Sequence, residues 1–141
     1  MPQAFSQVST VTIESTVHEV IITATWTNPG IGIGYCENRW ESFSATQGQT
    51  VEGTVTASIP NTLIVYILSD AQYKAWRAVN PFICDPDHAS GSVWHLGAIG
   101  GYLTLANVNW TPGQSGTYWI AAQTYSAQPV LVTINLYTQA T

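Results

Sequence analysis

Gln49 to Ser69 read QTVEGTVTASIPNTLIVYILS, two strands of different character on either side of one turn. In the first half apolar and polar residues alternate, with Val51, Val55 and Ala57 on one face and Thr50, Glu52, Thr54 and Thr56 on the other. A period of two is that of a strand with one wet side. Pro60 and Asn61 then supply turn chemistry. The second half, TLIVYILS, is apolar on both faces and predicts an interior strand covered on both sides.

The same alternation recurs along the chain. Val8, Val11 and Ile13 stand among polar residues in QVSTVTIE, and TVHEVIITATW places Val20, Ile22, Ala24 and Trp26 on one face with Thr23 and Thr25 opposite, until Asn28-Pro29-Gly30 breaks the run. Downstream come GYLTLANVNW, GTYWIAAQTY and PVLVTINLY, separated by Thr111 to Gly116 and by Ala127-Gln128-Pro129. Seven to nine such strands, with turn signals every eight to twelve residues, predict an all-β, antiparallel β-sandwich.

One segment breaks the pattern. In SDAQYKAWRAVNP, residues 69–81, Ser69 and Gln72 form a capping box, Asp70 suits the positive end of a helix dipole, and Lys74 and Arg77 suit the negative end. Tyr73, Trp76 and Val79 recur at helical spacing and Pro81 stops the turn. This predicts one short helix near 70–79, placed to cap the open end of the sandwich.

The chain has 141 residues, the size of one domain spanning 1–141, and residues 1–13 are the candidate for an exchangeable N-terminal strand, paired in its own sandwich or in another copy's. Charged residues are 8% of it, against about 25% in an ordinary soluble domain. Arg39, Lys74 and Arg77 are the only basic residues against eight acidic ones, so no basic patch exists to follow a phosphate backbone, and nucleic acid is excluded as a partner. No apolar run is long enough for a membrane-spanning helix. The opening MPQAFSQVST lacks the basic and apolar regions of a signal peptide. A surface carried by Ser, Thr, Asn and Gln predicts an extracellular or cell-surface location.

Cys36 and Cys84 belong to no CxxC pattern, and a disulfide between them is the simplest reading, two separate buried thiols the alternative. Asp85, Asp87 and His88, with His95 downstream, are the densest set of metal-ligating types and could hold Ca2+ or a transition metal, although Asp-Pro-Asp is equally a turn sequence. No cofactor is expected otherwise. Gly30 to Gly34, GIGIG, runs into Tyr-Cys-Glu-Asn and lacks the helix start and further spaced glycine of a dinucleotide fingerprint. There is no Gly-x-Ser-x-Gly, His18 sits in a strand pattern, and Glu37 with Glu41 is only a pair near in sequence, so no enzyme is expected. Asn109-Trp110-Thr111 is a possible glycosylation sequon.

Six tryptophans and seven tyrosines exceed what one small core requires. Trp40, Trp94, Trp119 and Tyr125 are the candidates for an interface or for stacking on sugar rings, since Trp119 and Tyr125 alternate with Ile120 and Ala122 and so point to the opposite face.

The run GQTVEGTVTAS, VYILSDAQYKAW, SGTYWIAAQTY and VLVTINLY, covering about residues 47–137, resembles the secreted β-sandwich modules of bacteria and archaea related in style to GOLD and pre-peptidase C-terminal domains. The matching features are Gly48, Val51 and Gly53 in a G-x-x-V-x-G strand, Tyr66-Ile67-Leu68 before the short helix, and Ser115, Gly116 and Tyr118 opening the penultimate strand. The resemblance implies a non-catalytic jelly-roll-like module. The functional expectation is an exported structural protein: a self-assembling subunit of an extracellular filament, pilus-like thread or surface coat, whose partners are copies of itself joined by strand complementation. The alternative is an extracellular carbohydrate-binding module that presents its Trp and Tyr side chains to a glycan.

Overall fold

The computed structural model describes residues 18–28, 37–79, 91–97 and 101–139. They form strands β1 (His18–Asn28), β2 (Glu37–Ala45), β3 (Val51–Ala57) and β4 (Leu63–Ser69), helix α1 (Asp70–Val79), and strands β5 (Trp94–Leu96), β6 (Leu105–Trp110), β7 (Gly116–Thr124) and β8 (Val130–Gln139). All pairings are antiparallel. β1 pairs with β8, β2 with β7, β3 with β6 and β4 with β5, a nested set equivalent to one long hairpin rolled on itself. β3 also pairs with β8 and β4 with β7, giving sheet I in the order β1-β8-β3-β6 and sheet II in the order β2-β7-β4-β5. Eight strands in these two orders make a jelly roll, inside the expected range of seven to nine.

The core between the sheets is built from the inward set of each strand. Val51, Val55 and Ala57 of β3 and Val130, Val132, Ile134 and Leu136 of β8 meet Leu63, Val65 and Ile67 of β4 and Ile120 and Ala122 of β7. Burying each Val, Leu or Ile contributes about 1.5–3 kcal/mol. At one end a polar tie crosses the layers. The Trp26 indole N–H donates to Asn28 Oδ1 (2.8 Å), and Asn28 Nδ2 donates to Thr124 Oγ1 (2.6 Å), so that buried Asn28 joins β1 to β7.

Backbone geometry explains the spaced glycines. Gly48 has φ +80 in the turn after β2. Gly53 has φ +146 inside β3, and a Cβ there would fall 1.9 Å from the Asn135 carbonyl oxygen on β8. Any side chain would push the two central strands of sheet I apart. Asn61, with φ 58, makes the β3–β4 turn, as asparagine tolerates that region best among non-glycine residues.

Two placements differ from the sequence reading. Val20 does not share a face with Ile22, because the β1–β8 register shifts between them, and it is left 68% exposed. A bulge reverses the side-chain alternation. Helix α1 does not cap the open end of the sandwich. It begins at the residue after β4, with no linker, and folds back over the outer face of sheet II, where Trp76 packs with Ile64, Tyr66, Leu68 and Ala121. That is why β4 is apolar on both faces: Leu63, Val65 and Ile67 enter the sandwich core and Ile64, Tyr66 and Leu68 lie under the helix side.

Candidate functional site

The outer face of sheet II carries most of the predicted aromatic candidates. One register row crosses all four strands, Trp40 on β2, Ala121 on β7, Tyr66 on β4 and His95 on β5. The next row pairs Ser42, Trp119 and Leu68. Over them sits α1, fixed at its start by the expected capping box: the Ser69 N–H donates to Gln72 Oε1 (2.9 Å) and the Gln72 N–H donates to Ser69 Oγ (3.1 Å).

The helix fills this face with stacked rings. Tyr73 lies on Trp119 at 3.8 Å between centroids and 7° between planes, and Trp76, fully buried, meets Trp40 edge-on at 5.4 Å. The Arg77 guanidinium stands 4.3 Å over the Trp40 ring. Each such contact contributes about 0.5–1.5 kcal/mol beyond area burial. The Trp119 indole N–H donates to Asp70 Oδ1 (3.0 Å), and Lys74 Nζ sits 2.8 Å from Asp70 Oδ2. Hydrogen bonds from Lys74 and then Trp119 hold the Asp70 carboxyl below its ordinary value, and the hydrogen bond to Asp70 raises the Lys74 ammonium above its own. Further along the face, Tyr102 stacks on Tyr125 at 4.7 Å, buried Gln123 donates from Nε2 to the Tyr125 hydroxyl (2.7 Å), and His95 stacks on Tyr66 at 5.9 Å.

Trp119 and Tyr125 thus point away from Ile120 and Ala122 as expected, toward a face that the chain's own helix and aromatics cover. Trp40, Trp119 and Tyr125 each have one ring face occupied, by Arg77, Tyr73 and Tyr102 respectively. Trp94 is separate from them: it pairs with Ile67 on β4 and packs against the sandwich core.

A second feature lies at the seam where β1, the last strand of sheet I, comes beside β2, the last strand of sheet II. A cavity of about 330 Å³ opens there, lined by Val20, Ile21, Phe43, Ser44, Thr46, Gln49 and Thr138. Phe43 belongs to the core and is buried, so the groove has Val20, Ile21 and the edge of Phe43 as its apolar part and Ser44, Thr46, Gln49 and Thr138 as its polar part. Sequence reasoning missed this groove. Its signal was Val20-Ile21-Ile22, three consecutive β-branched residues where alternation calls for a polar one, which is where the bulge occurs.

The remaining candidates are dispersed. Cys36, Cys84, Asp85, Asp87 and His88, and the N-terminal strand 1–13, lie outside the described residues. Of the expected metal ligands only His95 is described, exposed on β5, and no three His, Cys, Asp or Glu side chains converge among the described residues. Asn109 is exposed on β6, with Trp110 of the same sequon turned inward. No helix among the described residues is long and apolar enough to cross a membrane. No protein-family profile matches the chain, and no curated protein is significantly similar to it.

Proposed function

We propose that this chain is a non-catalytic, self-assembling structural subunit of an extracellular thread or coat, in which the N-terminal strand of one copy completes the β1–β2 seam of the next. The observation that carries this reading is the seam groove. It is lined by half-buried Ile21 and by the edge of buried Phe43, between two strands that each end a sheet among the described residues. The chain enters β1 at His18, two residues before Val20 of the groove lining, from a segment whose Val8, Val11 and Ile13 have strand alternation and which has Glu14 as its only charge in residues 1–17. An uncharged apolar strand next to an open seam has the chemistry of donor-strand exchange. Of the usual edge guards β1 has Glu19 and the bulge between Val20 and Ile22, both at its start, and from Ile22 to Asn28 it carries no charge and no Pro. The jelly roll itself suits both coat subunits and lectins and decides nothing alone.

The test is the assembly state of the full chain by sedimentation and negative-stain imaging. Polymers are expected, and Val11→Asp with Ile13→Asp should abolish them without lowering the melting temperature of the sandwich. A wild-type chain that stays monomeric at every concentration would overturn the reading. Binding on a glycan array that is lost in Trp119→Ala or Tyr125→Ala would favour the carbohydrate alternative instead.

A further inference from the structure

The outer face of sheet I is built differently from every other surface of the described residues. Its outward side chains fall into register rows across all four strands: Val20, Tyr137, Glu52 and Asn109; then Thr23, Asn135, Thr54 and Asn107; then Thr25, Thr133, Thr56 and Leu105. Thr27 and Leu131 extend it. Glu52 is the single charge among these residues. Val20, Leu105 and Leu131 are three of the five large apolar side chains that stand exposed among the described residues, at 68%, 45% and 45%.

From this arrangement we infer that sheet I is a face-to-face contact between two copies of the chain. The inference rests on the reading of the protein as a self-assembling subunit and adds a second contact to the edge contact proposed above. Three arguments select a second copy as the occupant. The first is charge: a face whose one ion in more than a dozen positions is Glu52 has nothing to pair with a charged partner, and a second copy leaves only that carboxylate to be satisfied, by the Tyr137 hydroxyl set against it. The second is self-complementarity. Thr hydroxyls and Asn amides both donate and accept hydrogen bonds, so the face matches its own image. Rotation about an axis parallel to the strands, between β8 and β3, sets Asn135 against Thr54, Thr23 against Asn107, Thr133 against Thr56, and Tyr137 against Glu52, each twice. Like charge never meets like charge.

The third argument is size. Four outward positions each on β1 and β8 and three each on β3 and β6, about 6.7 Å apart along strands spaced about 4.8 Å, give a face of roughly 450 Å². Two copies then bury about 900 Å², the size of a weak, reversible contact. The edge contact is heterologous and propagates a thread, whereas this one is isologous and closes. Together they make paired threads, two jelly rolls thick. Asn109 stands on the same face, so a glycan there would exclude the second copy.

The experiment separates the two contacts in the full chain. The edge variant Val11→Asp/Ile13→Asp should sediment as a dimer, and adding Thr54→Arg/Thr133→Arg should weaken that dimer at least about tenfold, to monomer. If the double arginine change disturbs folding, Leu105→Lys/Leu131→Lys, at exposed sites, serves in its place. An edge variant that is monomeric throughout, or a dimer indifferent to both pairs of changes, overturns the inference while the edge reading stands. A wild-type chain that forms no polymer, yet a dimer sensitive to these changes, overturns the edge reading and supports this one.

Discussion

The two outer faces of this sandwich solve the same problem in opposite ways. Sheet II has large apolar side chains on both sides, and the chain covers the outer ones with its own helix: Trp76, Ile64 and Leu68 are at or below 1% exposure. Sheet I has mainly Thr and Asn on its outer side and no helix over it among the described residues; Thr23, Thr25, Thr27, Asn107, Asn109 and Asn135 are exposed. The difference is written in the strands. β4 reads apolar at every position from Leu63 to Leu68, and β3 alternates. A strand that is apolar on both faces must bring its own cover or bury against a partner, and here the cover begins at the very next residue.

This contrast predicts unequal sensitivity. Trp76→Ala should cost about 3–5 kcal/mol, because it empties the middle of a packed aromatic layer and leaves the surrounding rings little means to collapse. Thr25→Ala, on the exposed side of sheet I, should fall within about 0.5 kcal/mol. Urea unfolding of the two variants compares them directly. Equal losses would mean that the outer face of sheet II is no more a core than that of sheet I.

A milder break tests whether the helix is held by packing or by its own start. The Ser69 hydroxyl accepts from the Gln72 N–H while Gln72 reaches back to the Ser69 N–H. Ser69→Ala removes one of these bonds and should cost about 1 kcal/mol, within the usual range for caps. A far larger loss in the same unfolding experiment would show that Ser69 serves β4, whose last residue it also is.

How much of this was legible follows from the range of each interaction. The capping box, the β3 alternation and the two-faced β4 are local, and each is set by residues within one stretch of seven residues or fewer. The G-x-x-V-x-G glycines were visible as a pattern, yet the reason for Gly53 lies on β8, more than eighty residues away, in the Asn135 carbonyl. The unbroken apolar run of β4 says that something covers Ile64 and Leu68. It does not say what, so the sequence alone puts the helix at the end of the sandwich and not over the sheet. The nested strand order depends on which segments meet in space, and no window of sequence contains it. The aromatic surplus was legible as a number only: that Tyr73 would lie on Trp119, and Arg77 on Trp40, required α1 and sheet II to be placed together.

The smallest effect expected concerns the ion pair at the rim of that layer. Asp70 is bonded to both Lys74 and the Trp119 indole, which holds its carboxyl below the ordinary 3.8. Its contribution is therefore complete above that value and is lost as pH falls through the lower value of the folded state. Lys74 is held above its ordinary 10.5 by the same carboxylate, so its contribution is complete below 10.5 and is lost as pH rises through the higher folded value. Between those limits the pair gives a level stability profile. Asp70→Asn keeps an acceptor for Trp119 and removes the charge, so the difference between wild type and variant should be constant across neutral pH and shrink at both extremes. Because the Lys74 side chain is 74% exposed, salt should shrink it as well. A difference that instead varied through neutral pH would place some other titrating group against Asp70, and the aromatic layer of sheet II would then be tied to the rest of the molecule by more than its rings.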